Sequence, residues 1–210
     1  MLTPQLSLAA GTTFTWTVQA LVLSSGVPVP AQSVAWQSGS GIIAQGPSAA
    51  LTNSSGIATN TLTVGPLAEG QTASINACLN GTNQCVAFTA YGARAQHASL
   101  QAISGTSQIL AASGTPSQIA LRLLDMDGNP MAGGTVALYQ TLYAWSPPCS
   151  PNMVCTQGVL LSTQASTATS AVDGSVTFIP NSLSDVATNL LGLAASGSTS
   201  TVTIAIEQHP

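Results

Sequence analysis

Lysine is absent from this chain of 210 residues, and Arg94 and Arg122 are its only arginines. Charged residues amount to 4%, where an average soluble protein carries roughly 25%. Without lysine there is no Schiff-base chemistry and no lysine-derived isopeptide crosslink. Two cations against six acids, a net charge of −4, form no basic patch able to neutralise phosphates. Nucleic acid is therefore not expected as a partner, and anionic membrane surfaces are unattractive for the same reason. Long apolar runs are missing too, with nothing approaching the ~18 residues that a membrane-spanning helix needs. The opening MLTPQLSLAAG lacks the basic start and apolar stretch of a signal peptide, so the chain reads as a piece of something longer.

What is present is apolar and uncharged. Hydrophobic residues make up 45% of the chain, the reverse of a disordered composition. The length suits two domains, each with its own core. Four cysteines fall in two close pairs, Cys78/Cys85 and Cys149/Cys155, neither with the Cys-x-x-Cys spacing of a zinc site. No metal or other cofactor is expected. Four cysteines allow three connectivities. Proximity favours the local bridges Cys78–Cys85, around the turn sequence NGTN, and Cys149–Cys155, both closed in an oxidising compartment. Reduced, buried thiols are the alternative.

The chain also repeats itself. VQALVLSSGVPVPAQSVAWQ (18–37) returns as IALRLLDMDGNPMAGGTVALY (119–139), and INACLNGTNQCVAFTA (75–90) returns without a gap as LGLAASGSTSTVTIAI (191–206). Within each copy, apolar and polar residues alternate. Phe14, Trp16, Val18, Ala20 and Val22 mark one strand, and Val34 and Trp36 mark another. Ile119, Leu121 and Leu123, then Val136 and Leu138, take those places in the second copy. Turn residues separate the runs at Ser24–Pro28, Ser55-Gly56, Asp125–Pro130 and Asp173-Gly174. The predicted fold is all-β: two tandem immunoglobulin-like β-sandwich domains, over 1–92 and 98–210, with Trp36 in the first core. The second domain carries an insertion at 141–158 that reads as a protruding, disulfide-closed loop.

The run LLDMDGNPMAGGTVALY, followed by SAVDGSVTFIP, resembles the bacterial immunoglobulin-like domain of the invasin and intimin group. The second copy matches that pattern at Asp125, Gly128, Asn129, Pro130, Gly134, Val136, Asp173 and Gly174. The first keeps Gly26, Pro28, Val34 and Gly56 but lacks both aspartates. The resemblance implies a module of a bacterial surface or secreted protein. Its motif residues are turn formers rather than a site.

Catalytic groups are sparse. His97 falls in the predicted linker and His209 at the penultimate position, neither beside a serine-bearing elbow. Most of the six acids sit in predicted turns, where aspartate serves the backbone. Asp125, Asp127 and Asn129 echo the start of a calcium loop, but its closing glutamate is absent. The remaining candidate site is the aromatic cluster Tyr139, Tyr143 and Trp145 beside Cys149, either a binding surface or a lid over one end of the sandwich. The chain thus reads as a non-enzymatic extracellular spacer and adhesion module. Its partner would be a protein or carbohydrate at a surface, or further copies of itself. A filament or sheath subunit and a carbohydrate-binding accessory module of a secreted enzyme are the alternatives.

Overall fold

The computed structural model describes residues 5–94, 98–111, 114–146, 156–180, 187–195 and 200–208, and every regular element among them is a strand. The chain divides into two compact units, Met1–Arg94 and Ala95–Pro210.

The first unit holds β1 (Gln5–Ala9), β2 (Phe14–Leu21), β3 (Leu23–Ser24), β4 (Val27–Pro28), β5 (Ser33–Ser38), β6 (Ile42–Gln45), β7 (Ala49–Leu51), β8 (Ile57–Val64), β9 (Thr72–Leu79) and β10 (Cys85–Ala93). It contributes β1, β10, β9, β5 and β7, in that order, to one sheet, and β2, β8 and β6 to another. β1 runs parallel to β10, and the other pairings are antiparallel. The alternation read from the sequence is the alternation of burial: Trp16, Val18 and Ala20 point inward from β2, and Val34 and Trp36 from β5. Between the sheets Phe88 meets Trp16 edge-on and Trp36 at a tilt, each at 6.1 Å between ring centroids. Aromatic contacts of this kind add about 0.5–1.5 kcal/mol to the burial of the rings.

The second unit holds β11 (Ser99–Ser104), β12 (Ser107–Leu110), β13 (Ile119–Leu124), β14 (Met131–Ala132), β15 (Thr135–Ser146), β16 (Thr156–Thr169), β17 (Ser175–Phe178), β18 (Ala187–Ala195) and β19 (Thr201–Gln208). Its sheets run β11-β13-β17 and β12-β19-β18-β15-β16. Ile119, Leu121, Leu123, Val136, Leu138, Val176, Phe178, Ile204 and Ile206 fill the core. Each unit is an immunoglobulin-like two-sheet sandwich, as the sequence predicts. The repeat also holds in register. Trp36 pairs with Ala77 as Leu138 pairs with Leu193, and Phe88 pairs with Ile75 as Ile204 pairs with Leu191.

One hydroxyl holds the same junction in both units. Thr52 Oγ1 donates to Val29 O at 2.7 Å and accepts from Gln32 N–H at 2.9 Å. Ser170 Oγ donates to Met131 O at 2.7 Å and accepts from Gly134 N–H at 2.9 Å. Both side chains are buried, at 5% and 1% exposure. Four residues later in each unit comes a glycine at positive φ, Gly56 (71°) and Gly174 (73°). Each glycine carbonyl accepts at 2.8 Å from the end of the neighbouring strand, Val22 N–H or Leu123 N–H. A Cβ on Gly56 would lie 2.7 Å from Val22 O, and one on Gly174 would lie 2.4 Å from Leu123 O. Only glycine fits this approach.

Replacing Thr52 with valine, or Ser170 with alanine, leaves an N–H and a C=O without that partner, part-buried around Thr52 and buried around Ser170. Each change is expected to lower stability by about 1–3 kcal/mol in denaturant unfolding, while Thr52→Ser stays close to the parent. Equal stability of Thr52→Val and Thr52→Ser would show that the hydroxyl does not constrain the fold.

Candidate functional site

The second unit departs from the first between the two ends of this clamp. Gln32 and Thr52 are 20 residues apart, whereas Gly134 and Ser170 are 36 apart. The added length lies in β15 and β16, which are 12 and 14 residues long against 6 for β5 and 3 for β7. The segment 141–158 is thus not a loop throughout. Strand pairing continues from Thr141↔Thr163 to Ser146↔Thr156, and β15 also pairs with β18 as far as Ala144↔Ala187. β15 persists there because it is paired on both sides, by β16 and by β18. Cys149 and Cys155, with the bridge expected between them, lie outside the described residues.

Tyr139 sits between buried Leu138 and buried Gln140, so it faces outward and is 47% exposed. Tyr143 is part-buried on the same strand and pairs with Leu160. Trp145 pairs through its backbone with Gln157, and its side chain lies outside the described residues. The ladder slips between Leu142 and Tyr143 and again before Trp145. Bulges of this kind re-aim side chains and raise the local twist. Val159, Leu160 and Leu161 are more than half exposed on the facing strand. The arm therefore presents tyrosine and aliphatic surface together. The cavity at its base, about 130 Å³ and lined by Leu138, Gln140, Gln164, Ala165, Ser166 and Ile179, is smaller than the pockets that enclose drug-sized ligands. Recognition here would use the surface of the arm.

The other candidates resolve into turns and bridges. Asp125 is buried, and its Oδ1 accepts the N–H groups of Asp127 and Asn129 at 2.9 Å each, which accounts for the Asp-x-Asp-Gly-Asn pattern as a backbone turn. No cluster of three His, Cys, Asp or Glu side chains suited to a metal occurs among the described residues. Glu69 pairs with Arg94. His97, Asp185 and His209 lie outside the described residues. In the first unit Cys78 and Cys85 face each other across the β9–β10 hairpin and are bridged, with Cα atoms 4.1 Å apart. The sequence pattern singles out neither Thr52 nor Ser170; a shared place four residues before Gly56 and Gly174 is the trace they leave in it.

No family model matches the chain, and no curated protein matches it. Solved structures do. They include the D0-D1 domain of intimin, at 20% identity over 97% of this chain and 94% of that one, with a TM-score of 0.38. Invasin, a bacterial integrin-binding protein, is 22% identical over 96% of this chain and 37% of its own, with a TM-score of 0.35. The Yersinia pseudotuberculosis adhesin InvE is 20% identical over 97% and 56%, with a TM-score of 0.31. Intimin and invasin are the group that the turn motifs resemble. A likeness this distant leaves the fold to rest on the sheets themselves.

The Asp173 carboxylate accepts hydrogen bonds from the hydroxyl and the backbone N–H of Ser175, and Arg122 adds a weaker attraction. These hold it below the usual aspartate range, against a small opposing effect of burial. A lowered folded-state value stabilises the fold above the unfolded-state value, and that contribution is lost as pH falls through the folded one. Asp173→Asn is therefore expected to be slightly less stable than the parent at pH 7, with the gap closing as pH falls through the folded-state value. A gap that persists in acid would mean that the charge is not what holds this turn.

Proposed function

We propose that the chain is a non-catalytic module of an exported bacterial surface or secreted protein, two domains long, that spaces its neighbours and presents a recognition surface. The observation that carries this reading is the β15–β16 arm. Two units that share register, clamp and glycine turn differ most where the second adds tyrosine and exposed aliphatic surface that the sandwich does not need. Immunoglobulin-like scaffolds place recognition on such additions. The Cys78–Cys85 bridge supports an oxidising, extracellular location. Tyr139, Tyr143 and Trp145 are the contact residues of this proposal, and the Cys149–Cys155 bridge expected from the sequence belongs to it. The partner is a protein or a carbohydrate at a surface. A filament-subunit role draws on β16, outermost in its sheet and uncharged along Thr156–Thr169, a strand edge open to another copy. Light scattering that rises steeply with concentration would favour that role.

An array of immobilised matrix proteins and glycans tests the reading. Whichever probe the parent retains is expected to be lost by the Tyr139→Ala/Tyr143→Ala double variant, with the melting temperature nearly unchanged. Retention of the same probe by the double variant, or a large fall in its melting temperature, would assign the tyrosines to packing instead.

A further inference from the structure

The larger sheet ends differently in the two units. β7 closes it in the first with 3 residues, whereas β16 closes it in the second with 14. β16 carries no charge and no proline, two devices that ordinarily keep one strand edge from pairing with another. Its residues from Thr163 to Thr167 are exposed one after the next, so both faces of the strand stand clear of the sandwich. Gln164 and Ser166 share the face of buried Gln140 and Leu138, and Ile179 lies beside them. At 80% exposure Ile179 is the barest large apolar side chain among the described residues.

The backbone shows which groups face that edge. Ser170, just past the end of β16, donates its N–H to Gly134 O and accepts from Gly133 N–H, so its backbone is turned toward β15. The pairing runs without a slip from Thr135↔Thr169 to Leu142↔Ser162. Strand alternation therefore turns Ala168, Ser166 and Gln164 toward β15 as well. It turns the N–H and C=O of Thr163, Ala165, Thr167 and Thr169 to the open edge. Among the described residues no strand and no turn bonds to those groups. The slip beyond Ser162 closes this row at one end, and the turn from Ala171 to Ser175 closes it at the other.

We propose that β16 pairs edge to edge with β16 of a second copy of this chain, antiparallel, about a two-fold axis at Ser166. In that register Thr163 of one copy lies opposite Thr169 of the other, and Ala165 opposite Thr167, so every outward backbone group of the row is used. A slip of two residues leaves an end residue of each row unpaired. A slip of one sets outward groups against inward ones and makes no ladder. The paired side chains are all uncharged, so no register places like charges opposite one another. The same axis carries the two Ile179 side chains toward each other and takes apolar surface out of water. An isologous contact uses the same patch on both copies and closes on itself, so the product is a dimer and not a filament. The pairing lies along the strand edge, leaves the outward face of Tyr139 uncovered, and stands whether or not the arm binds anything.

Sedimentation of the 210-residue chain is expected to show monomer and dimer in equilibrium and no larger species. Ser166→Lys sets two ammonium groups against each other on the axis. It is expected to raise the dimer dissociation constant roughly tenfold or more, with the melting temperature nearly unchanged. Ser166→Cys reads the register directly. The backbone of residue 166 faces β15, so the axial pair is a non-hydrogen-bonded one with Cα atoms about 4.5 Å apart, within the span of a disulfide. Mild oxidation is expected to join two copies through position 166, seen by peptide mapping without reduction. Thr163→Cys is not expected to join, because its two positions would lie about 20 Å apart. A parent that stays monomeric at every concentration, or species larger than a dimer, would overturn the proposal. So would an unaltered dissociation constant in Ser166→Lys, or equal joining by the two cysteine variants. If Ser166→Lys does not fold, the cysteine pair decides alone.

Discussion

The buried hydroxyl of Thr52, and of Ser170 in the second unit, is the interaction on which the rest of each sandwich depends. It ties the segment entering the central strand, β5 or β15, to the segment leading into the opposite sheet, β8 or β17. Backbone bonds complete the tie: Ala31 N–H to Thr52 O and Thr52 N–H to Gln32 O recur as Gly133 N–H to Ser170 O and Ser170 N–H to Gly134 O. A connection between sheets has no ladder of its own, so its N–H and C=O groups must find other partners once buried. Here one side-chain oxygen partners a donor and an acceptor together. The positive-φ glycine four residues later then brings the chain against the end of β2 or β13, which sets the phase of the next strand. A slip of one residue there would turn the inward side chains of β8 or β17 to solvent.

With that frame held, the two cores are built from different materials. The first stacks Trp16, Phe88 and Trp36 and pins its last hairpin with Cys78–Cys85. The second is largely aliphatic, with Leu138 where the first has Trp36 and Ile204 where it has Phe88. The β-turns differ as well. Ser25 and Gly26 both take positive φ in a two-residue hairpin, while the second unit uses a longer turn organised by the Asp125 carboxylate. Both deliver the chain to the same proline, Pro28 or Pro130, beside the glycine turn. Variation is thus confined to what surrounds the clamp.

Much of this was legible in the sequence. Period-two alternation located β2, β5, β13 and β15, because a strand with one buried face has no other way to be written. The hairpin cysteines were legible because a local turn sequence separates them. Thr52 and Ser170 were not, since a hydroxyl that bonds backbone 20 or more residues away looks like any other in a chain rich in Ser and Thr. The segment 141–158 read as a loop from its prolines and cysteines, and its flanks proved to be strand because β18 offers β15 a pairing partner that no local pattern reveals.

Clamp and arm are therefore distinct parts of the second unit: the fold requires the first and not the second. Residue-resolved native-state hydrogen exchange tests that division most directly. The account predicts that the Gly134 amide exchanges only with global unfolding of its unit, while amides of β15 and β16 beyond Leu142 and Ser162 open at lower free energy and independently of it. If the arm amides exchange only together with Gly134, the arm is part of the cooperative core and the division fails.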